Sequence, residues 1–164
     1  MKVVRVVEEV GRYLYEYYLD ENKNKQGVLK KFNSEKILCE ELEYKDDMLD
    51  GVCYYYEDGK LISKLTYKKN RLDGESLSYY SNGKIKAESF FIDGKQEGEC
   101  KNYSCEGILL SVTNYKNSKL HGEKRKYYEN GQLEMIGYYE NNSMVGVWKW
   151  YDIHGELIKE SNKN

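Results

Sequence analysis

The chain has 164 residues, the length of one domain. Its 26 basic and 28 acidic side chains nearly cancel, without the basic excess of a dedicated nucleic-acid binder. Tyrosine is abundant, at 18 residues, while Leu, Ile, Val and Phe are sparse, so a thick two-layer core is hard to fill; disorder is disfavoured too, because disordered chains lack aromatics. There is no proline, so turns must be built from Gly, Asn and Asp.

In chain order, the first segment is MKVVRVVEEVGRY. Arg5, Glu8 and Glu9 break its apolar run, so it does not read as a signal peptide. No stretch reaches the roughly 18 apolar residues of a membrane span. The four cysteines, Cys39, Cys53, Cys100 and Cys105, show no CxxC spacing, and free thiols in a reducing compartment are expected. A cytoplasmic location follows as an expectation. Val3, Val7, Val10, Leu14 and Tyr17 fit a helical stripe. Gly11 and the valine and tyrosine content favour strands instead, over residues 2–9 and 12–20. Both readings of this N-terminal cap stay open at this level.

From residue 27 onward a repeat takes over. Gly27, Gly51, Gly74, Gly98, Gly122 and Gly146 recur at spacings of 24, 23, 24, 24 and 24. A second series, Gly59, Gly83, Gly107, Gly131 and Gly155, follows them, with Lys36 holding that place in the first unit. Two residues after it stand Leu38, Leu61, Ile85, Leu109, Leu133 and Leu157. Eight residues after it stand Tyr44, Tyr67, Phe91, Tyr115 and Tyr139. These two columns differ by an even number, so they share one strand face.

Each unit reads as a β-hairpin. Asn82-Gly83, Asp58-Gly59 and Asn130-Gly131 are two-residue turn signals of the type I′ kind, which needs positive φ. The first glycine series, as in Lys69–Gly74, reads as a second set of turns. The expected fold is all-β: an elongated single-layer antiparallel meander of about six 24-residue hairpins. One repeat domain spans 1–164, with a degenerate cap at 1–26 and hairpins over 27–161.

The unit G-x(4)-Y-Y-x-N-G-K-I/L-x(5)-Y-x-N-G/N-x-L-x-G resembles the bacterial variant MORN repeat. YYSNGKIKAESFFIDGKQEG and YYENGQLEMIGYYENNSMVG are the best copies. Lys36, and Ser104 where most copies carry a second tyrosine, depart from it. The resemblance extends to the YwqK-type antitoxin family, which implies a protein that neutralises a partner toxin. Other MORN-type proteins are scaffolds or lipid-associated modules, and a repeat fold does not by itself fix function.

Catalytic signals are missing. His121 and His154 sit in columns that read as exposed turns. No glycine-rich phosphate loop, paired catalytic carboxylates or zinc-ligand spacing is present, so neither enzyme activity, cofactor nor metal is expected. Two surfaces can bind a partner. An acidic zone, Glu40, Glu41, Glu43, Asp46, Asp47 and Asp50, would steer a basic toxin. The aromatics Tyr54, Tyr56, Trp148 and Trp150 offer rigid contact area. A basic zone, Lys116, Lys119, Lys124, Arg125 and Lys126, would allow only reversible contact with anionic lipid. The ordinary alternative is solvated strand charges that protect edges, and a C-terminal cap for the tryptophans.

Overall fold

The computed structural model describes residues 2–163. Among these, every regular element is a strand, paired antiparallel to its neighbours. The chain divides into two compact units, Met1–Gly83 and Lys84–Asn164. The first contains β1 (Val4–Val10), β2 (Tyr13–Leu19), β3 (Lys25–Phe32), β4 (Leu38–Lys45), β5 (Met48–Leu49), β6 (Gly51–Glu57), β7 (Lys60–Lys68) and β8 (Arg71–Tyr79). Its strands pair in chain order, except that β4 pairs with β6 and the short β5 pairs with β4. The second contains β9 (Ile85–Ile92), β10 (Lys95–Tyr103), β11 (Leu109–Lys116), β12 (Lys119–Tyr127), β13 (Leu133–Glu140), β14 (Ser143–Tyr151) and β15 (Leu157–Lys163), again paired in chain order. The all-β hairpin meander expected from the repeat is therefore the observed fold within each unit. The N-terminal segment is strand, not helix: Val4–Val10 pairs residue for residue with Tyr13–Leu19.

Two kinds of turn occur. Asp46-Asp47, Asp58-Gly59, Lys69-Asn70, Asp93-Gly94, Asn117-Ser118 and Asn141-Asn142 have positive φ at both residues, the type I′ signature. Asn82-Gly83 and Asn130-Gly131 correct the expectation. Only the glycine has positive φ, and its N–H donates to a carbonyl three residues back: Gly83 to Tyr80 and Gly131 to Tyr128, both 2.9 Å. These are four-residue turns ending in a left-handed residue, a form that longer hairpin loops adopt. Lys36 takes that left-handed place in the first unit, with φ 60°. Ser104 departs from the tyrosine column because it caps its turn. Its Oγ accepts from the N–H groups of Glu106 and Ile108, both at 3.2 Å. Asn33 and Asp152 do the same in their turns.

The type I′ turns also hold on to one another. The second residue of one turn exchanges bonds with the strand start about one repeat earlier. Asn70 Oδ1 accepts from Leu49 N–H at 2.7 Å while Asn70 N–H donates to Leu49 C=O at 2.9 Å. Asp47 treats Lys25 in the same way, Ser118 treats Gln96, and Asn142 treats Leu120. A short side chain with an acceptor oxygen that also tolerates positive φ suits this place.

The first glycine series does not form turns. Gly74 lies inside β8, Gly98 inside β10, Gly122 inside β12 and Gly146 inside β14, all with positive φ. At each of them for which the register is known, it slips by two against the preceding strand. Tyr67 faces Leu72, whereas Leu65 faces Ser76; Tyr115 faces Leu120, whereas Thr113 faces Lys124. These are bulges, and glycine supplies the backbone angles they need. A Cβ on Gly74 would also lie 3.0 Å from Thr66 Cβ.

The core is thin. Leu29, Leu42, Cys53, Leu77, Val112 and Trp148 are the buried hydrophobics, and the tyrosine column is half-buried.

Candidate functional site

In the first unit the registers bring one strand face together. Gly27 opposes Tyr44, Leu29 opposes Leu42, Cys53 opposes Leu65 and Gly51 opposes Tyr67. Leu29, Leu42 and Cys53 form the buried cluster, and Tyr15, Tyr17, Tyr44, Leu49, Tyr55 and Tyr67 pack on it. Glycines thus face Tyr44 and Tyr67 on one side, while Leu49 and Leu72 face them on the other.

A recess of about 250 Å³ opens on this face, with Tyr15, Tyr17 and Tyr44 around it and Leu29 and Leu42 at its base. Val10, Lys25, Lys31, Glu8 and Glu40 complete its lining. Lys25 Nζ lies 5.8 Å from the Tyr17 ring centre and 5.3 Å from that of Tyr44, a shared cation–π contact. Lys31 Nζ pairs with Glu40 at 2.7 Å and sits 4.5 Å from the Tyr13 ring centre. Tyr17 O–H donates to Glu8 at 2.9 Å. The recess thus combines aromatic walls, an aliphatic base and both signs of charge.

Burial, aided in Tyr17 by Glu8, raises the hydroxyl pKa values of Tyr17 and Tyr44. Tyr55 is raised by burial and by its hydrogen bond with Tyr67. Burial likewise pushes the Cys53 thiol up. These groups stay protonated near neutrality, so they serve as donors and contact surface; none is an activated nucleophile.

The acidic zone is not a single patch. Glu40 faces the recess and holds Lys31, whereas Glu41, one residue on, faces away. Glu41 pairs with Lys30 at 2.9 Å and accepts from Tyr56 O–H at 3.0 Å. This contact and burial push the Tyr56 hydroxyl up to about 12, burial first. Glu43 accepts from Val52 N–H, Asp46 from Gln26 Nε2 and Asp50 from Lys69 N–H. Asp47 is the turn residue that clasps Lys25. All six carboxylates are therefore used inside the unit. Tyr54 stands opposite Glu41 and Lys64 on the face away from the recess, and Tyr55 belongs to the recess side.

In the second unit Trp148 is 1% exposed, so it offers no contact area to a partner. It meets Tyr139 edge to face with ring centres 5.1 Å apart, and Trp150 at 6.1 Å. Tyr128 instead donates its O–H to Tyr151 C=O. Trp150 is half-buried, with Lys159 Nζ 4.8 Å from its ring centre. In the basic zone Lys126 pairs with Glu134 at 2.6 Å and Arg125 pairs with Glu123. Lys124 Nζ lies 5.9 Å from the Tyr139 ring centre. His154 is an exposed turn residue, as expected; His121 is not, being a half-buried member of β12 whose Nδ1 is buried without a hydrogen-bond partner. Among the described residues no three His, Cys, Asp or Glu side chains form a metal-binding group.

The recess escapes sequence reasoning because its parts come from four strands, β1 to β4. The sequence signal that reaches it is the tyrosine column, through Tyr44.

A model of the MORN repeat variant matches residues 49–69, 72–93 and 120–141. No curated protein matches the chain. Two solved structures show a distant likeness. One is an S. aureus TarM mutant in complex with fondaparinux, alpha-GlcNAc-glycerol and UDP. It is 13% identical over 74% of this chain and 21% of that one, with a TM-score of 0.43. The other is TarM, 11% identical over 84% of this chain and 21% of that one, with a TM-score of 0.39. The chain spans about a fifth of the length of either. The likeness is too low to carry an argument about this protein.

Proposed function

We propose that this chain is a non-enzymatic protein-binding module that takes a partner side chain into the tyrosine-walled recess of the first unit. MORN repeats are generally protein- or lipid-binding modules, and three segments match one. The observation that carries the reading is the recess itself: Tyr15, Tyr17 and Tyr44 over Leu29 and Leu42, rimmed by Lys25, Lys31, Glu8 and Glu40. Tyrosine gives large contact area at low entropic cost, with a hydroxyl to fix orientation. An apolar or aromatic side chain next to a charged one is the occupant this chemistry suits.

The finer reading is an antitoxin or immunity protein acting in the cytoplasm, which neutralises a partner toxin by occluding it. It rests on the repeat resemblance. Electrostatic steering by the acidic zone has less support than contact through the recess, since those carboxylates are already engaged.

The test is affinity purification of tagged wild type and a Tyr15→Ala/Tyr44→Ala variant from the native cell, with circular dichroism to verify the fold. A protein retained by wild type and lost from the folded variant supports the reading; inhibition of that protein's toxicity would establish the finer one. Equal retention by both removes the recess from the binding surface. Sedimentation of wild type with anionic vesicles, without any protein partner, would favour the lipid-binding alternative.

A further inference from the structure

We propose that the outer edge of β1 is a self-association surface: it pairs antiparallel with β1 of a second copy of this chain, centred on Val7. This stands apart from the recess reading.

β1 pairs only with β2, so its other edge presents unpaired backbone groups. Which groups point outward follows from the turn. Val10 and Tyr13 flank the two-residue loop Gly11-Arg12, and such a loop closes on a pair that exchanges both N–H···O bonds. Val10, Glu8, Val6 and Val4 thus bond inward to β2. Arg5, Val7 and Glu9 turn their N–H and C=O groups out.

The edge is only partly guarded: Arg5, Glu8 and Glu9 are charged, but the other four of its seven residues are valine. Val4, Val7 and Val10 are 61%, 51% and 56% exposed. Edge strands that avoid pairing carry charges, lysine above all, proline or bulges; β1 has no lysine, proline or bulge, and its charges at Arg5 and Glu9 are of opposite sign.

The register is selected by charge. Outward-pointing residues must oppose one another to form the exchanged pairs. Centring on Val7 sets Arg5 against Glu9 of the second copy and Glu9 against its Arg5, with Val7 on Val7 and Val4 on Val10. All three outward residues of each strand then pair, giving about six backbone bonds. Centring on Arg5 opposes two arginines; centring on Glu8 or Glu9 opposes two glutamates; centring on Val6 leaves Arg5 facing Val7. Arg5 already donates one N–H to Glu16 at 2.9 Å, and a guanidinium has further donors for a second carboxylate. Among the described residues Glu9 has no ion-pair partner of its own.

Sedimentation equilibrium of the full chain from roughly 1 µM to 1 mM tests this. The mass should rise with concentration and stop at twice the single-chain value. Val7→Pro removes an outward N–H and no bond to β2, as proline on a strand edge can, so its circular dichroism should be unchanged while association is lost. Glu9→Arg should weaken association at least tenfold. Amide exchange at Arg5, Val7 and Glu9 should slow about tenfold at high concentration, with Glu8 unaffected; this needs no variant. A wild type that stays a single chain at 1 mM overturns the proposal. So does association undiminished by either variant, or a mass that climbs beyond two chains, which would mean open-ended pairing through another edge.

Discussion

Gly137 belongs to neither glycine series, and its φ is not in the left-handed region, so backbone freedom is not why it is there. A Cβ built on it would lie within 2.5 Å of Cδ2, Cε2 and Cε3 of Trp148. Carbon atoms in contact sit about 3.5–4.0 Å apart, so Gly137→Ala forces the indole to move by more than 1 Å, roughly the shortfall between those distances. The indole is a rigid bicycle, 1% exposed, with Tyr139 and Trp150 against it. Overpacking of this kind costs about 1–3 kcal/mol, and complete expulsion of a tryptophan sets an upper bound of about 3–5 kcal/mol. The expected loss is about 2–4 kcal/mol, within those bounds. It should be read by urea unfolding followed by far-UV circular dichroism, with a red shift in native tryptophan emission. In a Trp148→Ala background the same change should turn neutral or stabilising by up to about 1 kcal/mol, because alanine then replaces a strand glycine with nothing to strike. The reasoning is refuted if Gly137→Ala costs under about 0.5 kcal/mol in wild type, or if its cost persists without Trp148.

Lys36, at φ 60°, should accept glycine with a gain of about 0.5–1 kcal/mol in a denaturant titration, whereas Gly83→Val, at φ 82°, should lose more than about 1 kcal/mol. Equal effects of opposite expectation would undo the turn assignment. No disulfide joins the four cysteines, so thiol titration of the unfolded, non-reduced chain should count four; in the native state exposed Cys105 should react first and buried Cys53 last. Finding two thiols would reveal a disulfide. Backbone N–H groups at Asn24 and Glu156 are the leading cause holding the carboxyls of Asp20 and Asp152 below their usual 3.8. Folding therefore favours the ionised forms: their stabilisation is whole above pH 3.8 and drains as pH falls through the lower folded values. NMR titration should find both midpoints under 3.8, and midpoints at or above it would contradict the capping role.

Much of the fold was legible because hairpin periodicity acts on every unit alike. Tyr44 and Tyr67 in the first unit, and Tyr115 and Tyr139 in the second, line up in sequence and are half-buried in their own units. What escaped depends on pairings between strands. A glycine at positive φ serves a turn or a bulge equally, so Gly74 and Gly122 read as turns, whereas they sit where the register slips, close to Thr66 and Asn114. Asn82-Gly83 has the letters of a type I′ turn, but loop length is set by how the flanking strands register, and the longer turn wins. The candidate site was legible only in part. Glu40 and Glu41 are neighbours in sequence on opposite faces, and Asp46 and Asp47 are turn residues, so a run of like charge dissolves into separate internal bonds. Trp148 reads as contact surface because nothing in its own strand announces the hole that Gly137 leaves for it.

The clasps between successive type I′ turns have a consequence for cooperativity. An array of repeats behaves like a one-dimensional Ising chain, with an intrinsic term for each unit and a coupling term between neighbours. The turn conformation at Asp47, Asn70, Ser118 and Asn142 belongs to the first term, since glycine would adopt it as readily. The side-chain oxygen that reaches back to Lys25, Leu49, Gln96 or Leu120 belongs to the second. The two parameters are thus separable at one position. Glycine there would leave each hairpin sound and loosen its grip on the last, so that a sharp unfolding transition broadens before its midpoint falls far.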